Sequence, residues 1–144
     1  MKRVTHVLFA VGLTGVLGLW RTPWGPLIVI PASIGSIAPD LDLGSHHRMF
    51  LHNIFIIFML IVSSWFTMVY SDLELSLLLL GFITGWISHI VLDSLTLKGV
   101  ALLYPVSKRF YGFKKCRSGS LLCNGLLSLV SIVMIIYGVK SFIP

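Results

Sequence analysis

A histidine and an aspartate, His89 and Asp93, lie four residues apart near the end of a long apolar stretch. On an α-helix this spacing places both side chains on one face, one turn apart. An imidazole and a carboxylate in this arrangement can hold a metal ion between them. Inside a bilayer neither group is tolerated without a partner, so the pair predicts a site with further polar ligands.

The composition predicts an integral membrane protein. The chain has 144 residues, of which 56% are hydrophobic and only 11% are charged, whereas soluble domains contain about 25% charged residues. This length allows one membrane domain over residues 1–144. The net charge of +6 is explained by basic loops that face the cytoplasm and anionic lipid, and nucleic acid is not an expected partner. Cys116 and Cys123 have no metal-type spacing and are predicted to be free thiols.

Apolar runs and helix-breaking residues predict an all-α fold, a polytopic helical bundle of about five membrane segments. Residues 27–39 are shorter than the roughly 20 residues of a straight span, which leaves a crossing or a re-entrant helix open. Gly81 and Gly85 are four residues apart and favour close packing against a neighbouring helix. The predicted segments are 4–20, 27–39, 52–70, 75–97 and 120–142.

The distribution of positive charge predicts the orientation. If all the segments cross and the amino terminus is cytoplasmic, nine of the eleven basic residues face the cytoplasm, and Arg21 and Lys140 face the other side. This bias follows the positive-inside rule and predicts a cytoplasmic amino terminus. The same topology brings polar residues from four segments to one depth near the cytoplasmic leaflet. These residues are His6, Asp40, Asp42, His52, His89 and Asp93.

Three imidazoles and two or three carboxylates at one depth are a suitable ligand set for one or two divalent ions. Zinc fits best, and manganese or iron also suits a mixed nitrogen and oxygen set. A carboxylate such as Asp93 can bridge two ions, and two-metal sites of this kind act in phosphoester hydrolysis. His46 and His47 lie in a polar loop and are expected to be solvated rather than bound to a metal.

Several motifs of the chain are specific when they are taken together. They are the early His6, Pro39-Asp40-Leu41-Asp42, His47-Arg48-x-x-x-His52, and Gly85-x-x-Ser88-His89-x-x-x-Asp93-x-x-Thr96-x-x-Gly99-x-x-Leu102-x-x-Pro105. As a set they resemble the YdjM-type family, small prokaryotic inner-membrane proteins described as metal-dependent hydrolases. The resemblance covers residues 1–112, and the last segment agrees only in hydropathy.

The YdjM-type family is in turn distantly similar to zinc-dependent phospholipases C and fungal-type nucleases, which are helical phosphodiesterases. The resemblance implies one ion held by Asp40, His52, His89 and Asp93, and a second ion held by His6 and a bridging Asp93. Those soluble enzymes use a third metal with later ligands, and no histidine or acidic residue follows Asp93 here. A third site is therefore not expected. The chain departs from the family pattern at Leu43, Met49, Leu51 and Asn53, none of which is a predicted ligand.

These observations favour a membrane-embedded, metal-dependent hydrolase that acts on a phosphoester of a lipid or lipid-linked substrate at the cytoplasmic leaflet. Asp42 is expected to act as a general base or an outer ligand, and Arg48 to bind the phosphate. Ser88 and Thr96 are expected to support the ligands. Ordinary positive-inside charge explains Lys108, Arg109 and the rest of the basic loop.

Two other functions agree with the same residues. A metal-ion carrier or sensor would bind the ion reversibly. A transporter, however, needs a site reachable from both faces, and no charged residue or histidine continues through the middle of the third and fifth segments. A structural membrane protein would use the polar cluster, including a hydrogen-bonded His89–Asp93 pair, only to fix helix packing. The sequence leaves the oligomeric state open.

Overall fold

The computed structural model describes residues 1–41, 48–70 and 72–142, and in these residues the chain forms five α-helices and no extended strand. The predicted all-α fold is confirmed. Short 3₁₀ turns follow the first two helices, at Leu19–Arg21 and Ala38–Leu41. The helices are α1 (Arg3–Val16), α2 (Gly25–Gly35), α3 (Ile54–Tyr70), α4 (Leu73–Ser94) and α5 (Leu121–Phe142).

Within the described residues, α4 and α5 are the two helices that are long and apolar enough to cross a membrane. Each contains 22 residues. At 1.5 Å per residue this is about 33 Å, close to the roughly 30 Å of a hydrocarbon core. With 11 residues α2 is shorter than a span, as predicted, although it begins and ends earlier than the predicted 27–39.

The two ends of α4 follow from local chemistry. At its start, the carboxylate of Asp72 accepts a hydrogen bond from the backbone N–H of Glu74 at 2.9 Å, which satisfies a free donor of the first turn. The helix ends at Ser94 and not at the predicted residue 97. Gly99 then adopts a φ of 68°, which glycine reaches without steric cost. Thr96 therefore lies in a turn beyond the helix.

Helices α2 and α4 run parallel at backbone distance, which confirms the close packing predicted from the glycine pair. A Cβ atom on Gly85 would overlap the carbonyl oxygen of Ala32, and one on Gly81 would lie 2.7 Å from Cγ2 of Ile28. The contacts advance in the same direction along both helices. The carboxyl end of α2 therefore lies beside the last turns of α4.

Helices α1 and α5 are also parallel to each other. The backbone N–H of Lys2 donates to Oδ1 of Asn124 at 3.0 Å near the start of both helices, and Gly15 packs against Gly138 near their ends. Since successive helices alternate in direction, one end of the bundle collects the starts of α1, α3 and α5 and the ends of α2 and α4. The predicted convergence of the polar residues has this architecture as its basis.

Cys116 and Cys123 form a disulfide, so the prediction of free thiols was wrong. The bond joins the loop after α4 to the first turn of α5. A turn between the two cysteines, in which Ser120 N–H donates to the carbonyl of Arg117 at 2.9 Å, reverses the chain and brings the sulfur atoms together. Spacing alone could not reveal this pairing because it depends on that turn.

The contact between α2 and α4 makes Gly85 a sensitive position. We expect Gly85→Ala to lower the free energy of unfolding by about 1–3 kcal/mol, because the added methyl group meets backbone that cannot move aside. The measurement is thermal or denaturant unfolding of the purified protein in detergent. Gly125→Ala in α5 is the control, since nothing lies within 4 Å of a Cβ atom there. Equal stability of the two variants would contradict the close packing.

Candidate metal centre

Four of the predicted ligands meet at the end of the bundle where α2 and α4 stop. They come from the 3₁₀ turn after α2, the loop before α3 and the last turns of α4. One nitrogen or oxygen atom from each lies within 4.8 Å of the other three. The side chain of Asp40 is 22% exposed, and the side chains of the other three residues are at most 1% exposed. The four residues are Asp40, His52, His89 and Asp93.

The distances between these atoms suit a single divalent ion. His52 Nε2 and His89 Nε2 are 3.2 Å apart, and His89 Nε2 lies 3.6 Å from Asp40 Oδ1 and 3.7 Å from Asp93 Oδ2. Ligand atoms about 2.0–2.1 Å from a tetrahedral zinc ion are roughly 3.3–3.4 Å from one another. Small side-chain movements would therefore bring all four donors onto one ion. Their two nitrogens and two oxygens fit zinc, and also manganese or iron.

His89 is oriented by the carboxyl end of α2. Its Nδ1 atom lies 2.7 Å from the carbonyl oxygen of Ser36, and because a carbonyl can only accept, Nδ1 carries the proton and donates it. The lone pair that could bind a metal ion is then on Nε2, which faces the other predicted ligands. Metal-binding histidines commonly donate their second nitrogen in this way. The helix packing thus fixes both the tautomer and the direction of this ligand.

His52 does not begin a helix, as the predicted segment 52–70 implied, but lies in the loop just before α3. Its side chain is fully buried. Burial lowers the pKa of the His52 imidazole to about 4, and the adjacent His89 contributes to the decrease. The ring is therefore neutral near pH 7, which is the form that binds metal ions.

Asp93 connects this group to His6. Its Oδ2 atom lies 3.7 Å from His89 Nε2 and 3.9 Å from His52 Nε2, whereas its Oδ1 atom lies 3.5 Å from His6 Nε2. The ring of His6 stacks on that of His89 with 4.1 Å between the centroids. The two carboxylate oxygens thus face different imidazoles, which is the arrangement required for the bridging role that the resemblance implies.

Two cations also contact the carboxylate of Asp93. The amino group of Met1 lies 3.1 Å from Oδ1, and the guanidinium of Arg48 lies 3.0 Å from Oδ2. Arg48 donates in addition to the hydroxyl of Thr96 at 2.8 Å, and this hydroxyl donates to the Asp93 carbonyl at 2.7 Å. Thr96 supports the site as predicted, although from the turn and not from the helix. Arg48 lies at the edge of the ligand group.

The remaining predicted residues have different positions. Asp42, His46 and His47 lie outside the described residues. The hydroxyl of Ser88 donates to the carbonyl of Gly85 in its own helix at 2.7 Å, and not to a ligand. The lysines and arginines of the basic loop, including Lys108 and Arg109, are exposed, and their assignment to positive-inside charge stays a prediction.

Two contacts of the site were not predicted from the sequence. They are the hydrogen bond from His89 to the Ser36 carbonyl and the ion pair of Asp93 with the Met1 amino group. Both contacts use backbone groups, which every residue type carries, so the sequence gives no indication of them. Ala32 and Ser36, two small residues four apart, could have indicated that α2 packs closely on the glycines of α4.

Comparison with known proteins identifies the family. The family model described as YdjM inner membrane protein matches residues 1–143, so the chain belongs to this family and is a membrane protein. The match extends beyond the predicted residues 1–112 and includes α5. No match was found among curated proteins or among solved structures.

The ligand group predicts metal binding that depends on individual side chains. We expect purified protein incubated with zinc, manganese or iron to retain about one to two ions per chain. His89→Ala and Asp93→Ala should lower the affinity more than about 100-fold, since each removes a ligand that other groups hold in position. Mass spectrometry of the metal content after dialysis measures the effect.

Glu74→Gln is the control for these variants, because Glu74 is an exposed carboxylate at the opposite end of α4. It should retain the metal content of the wild type. A folded wild type that holds none of the three metals would contradict the site.

Proposed function

We propose that this member of the YdjM family is a membrane-embedded, metal-dependent hydrolase that acts on the phosphoester of a lipid or lipid-linked substrate. The observation that carries the proposal is the buried group of Asp40, His52, His89 and Asp93. It lies near the end of α4, whose length and hydropathy suit a membrane span. A site at that level is close to lipid phosphates. Burial of these polar side chains in an apolar bundle costs free energy, and one bound ion would interact favourably with all four of them.

We infer that substrate approaches the ligand group from the side of Asp40, its most exposed member. A divalent ion held by these residues would supply polarisation of the phosphoryl group and a more acidic water molecule at neutral pH. The side chain of Asp40 is 22% exposed, whereas those of the other three residues are at most 1% exposed. Asp42 follows two residues later, and we assign it the role of general base or outer ligand. The proposal for Asp42 rests on this proximity in sequence.

Arg48 is held in a position that suits contact with a phosphate. Its two terminal nitrogens are bound to Asp93 and Thr96, and its Nε atom has no hydrogen-bond partner among the described residues. These buried contacts fix the guanidinium beside the ligands. An arginine that is preorganised next to a metal group can meet a phosphoryl oxygen without further ordering.

A structural role is the second candidate, and the ion pairs of Asp93 favour it. Arg48 and the Met1 amino group balance the buried carboxylate without any metal ion. A cluster of this kind could serve only to hold α1, α4 and the loop before α3 together. This alternative predicts a protein that binds no metal and has no hydrolytic activity, so the metal content separates the two candidates.

The general-base proposal predicts a separation of activity from metal binding. We expect Asp42→Asn to retain its metal while its kcat falls by about 10²- to 10⁴-fold, the usual contribution of a general base. The assay measures release of p-nitrophenol from bis(p-nitrophenyl) phosphate and release of the headgroup from phosphatidylglycerol in mixed micelles. Glu74→Gln should behave as the wild type. Loss of metal from Asp42→Asn would instead make Asp42 a ligand, and absence of turnover by the metal-loaded wild type would refute the hydrolase.

We further propose that the metal group faces the cytoplasm. Nine of the eleven basic residues lie at the same end of the bundle as the metal group, either at the start of α1 or in the loops at that end. Arg21 and Lys140 lie towards the other end. The positive-inside rule assigns the end with more basic residues to the cytoplasm. The Cys116–Cys123 disulfide, at the basic end, is an opposing signal, because disulfides persist mainly in oxidising compartments.

Cysteine accessibility decides between these two signals. In a background of Cys116→Ser and Cys123→Ser, we expect Thr22→Cys to react with a membrane-impermeant maleimide in intact spheroplasts, because it lies at the end with few basic residues. Ser118→Cys should react only after permeabilisation. The reverse pattern of labelling would assign the metal group to the outer face and would favour the disulfide as the better indicator.

A further inference from the structure

A cavity of about 290 Å³ lies outside the metal group, between the turn after α4 and the segment before α5. Because α4 ends at Ser94 and α5 begins at Leu121, the cavity is just beyond the ends of the two helices that suit a membrane span. This is the level of the lipid headgroups. The cavity is lined by Thr96, Leu97, Lys98, Arg117 and Ser118.

The two walls of the cavity are fixed to each other by backbone hydrogen bonds. The N–H of Leu97 donates to the carbonyl of Cys116 at 2.8 Å, and the N–H of Cys116 donates to the carbonyl of Leu95 at 3.0 Å. The disulfide ties the second wall to α5, and the Asn124 amide donates to the Ser118 carbonyl at 2.9 Å. Lys98 and Arg117 are therefore carried by segments whose separation is set by the fold.

Positive charge in this cavity is not balanced by neighbouring acids. Among the described residues, neither Lys98 nor Arg117 has a carboxylate within ion-pair distance. All ion pairs found in this part of the chain involve Asp93 or Asp40 of the metal group. Two cations that line one cavity attract an anion, and arginine in particular suits the oxygens of a phosphate.

We propose that this cavity binds the phosphate of a membrane phospholipid through Lys98 and Arg117. Its depth at the helix ends favours a lipid over a free anion, and so does the side chain of Leu97, an apolar lining residue that is 50% exposed. The hydroxyl of Ser118 can donate to a phosphate oxygen. The proposal requires that the bundle lies in a membrane, but it does not require that the metal group is catalytic.

The proposal is tested by lipid binding to the full chain in detergent, measured by native mass spectrometry with phosphatidylglycerol and with diacylglycerol, which lacks the phosphate. We expect Lys98→Gln/Arg117→Gln to bind phosphatidylglycerol about 10- to 30-fold more weakly than the wild type, since each cation near a membrane surface contributes to attraction of anionic lipid. Binding of diacylglycerol and the metal content should not change.

Lys108→Gln/Arg109→Gln is the matched control, because it removes one lysine and one arginine from the same basic loop without touching the cavity. It should lose less than about threefold in affinity. An equal loss of affinity in both double variants would show that only the total positive charge matters, and would overturn the proposed site. Inorganic phosphate that displaces phosphatidylglycerol at equal concentration would identify a free anion as the ligand and also overturn the proposal. If the first double variant fails to fold, the single variants Lys98→Gln and Arg117→Gln replace it, each with about half the logarithmic loss.

Discussion

The buried carboxylate of Asp93 imposes the strongest constraint on this structure. A carboxylate that is 1% exposed must be neutralised or hydrogen-bonded, because an isolated charge in an apolar interior is very costly. Imidazoles from α1, α4 and the loop before α3 surround it, together with the Arg48 guanidinium and the Met1 amino group. Three separate parts of the chain are thereby required to meet at one end of the bundle.

The packing of α2 on α4 places the predicted metal ligands Asp40 and His89 at that end of the bundle. Gly81 and Gly85 allow the two helices to run parallel at backbone distance, so the last carbonyls of α2 lie beside the last turns of α4. One of these carbonyls orients His89, and the 3₁₀ turn that follows α2 supplies Asp40. A displacement of α2 by one helical turn would remove both contributions, which is why the glycine positions matter to chemistry several residues away.

Much of this arrangement could be predicted from the sequence because it follows from residue type and hydropathy. The all-α fold, the short second segment and the ligand group were predicted, and the family membership agrees with the motifs. The helix ends were less accurate: Thr96 lies outside α4 because Gly99 and the pairing with Cys116 end the regular structure. The disulfide and the Ser36 contact depend on tertiary geometry and on backbone groups, for which residue types carry no signal.

Thr96 places the metal group and the basic cavity in one framework. Its hydroxyl accepts from Arg48 and donates to the Asp93 carbonyl, while the same residue lines the cavity and pairs with Cys116. The turn after α4 therefore has to satisfy the geometry of both sites, and the disulfide limits its movement through Cys116. A change that displaces this turn is therefore expected to disturb the Asp93 contacts and the lining of the cavity together.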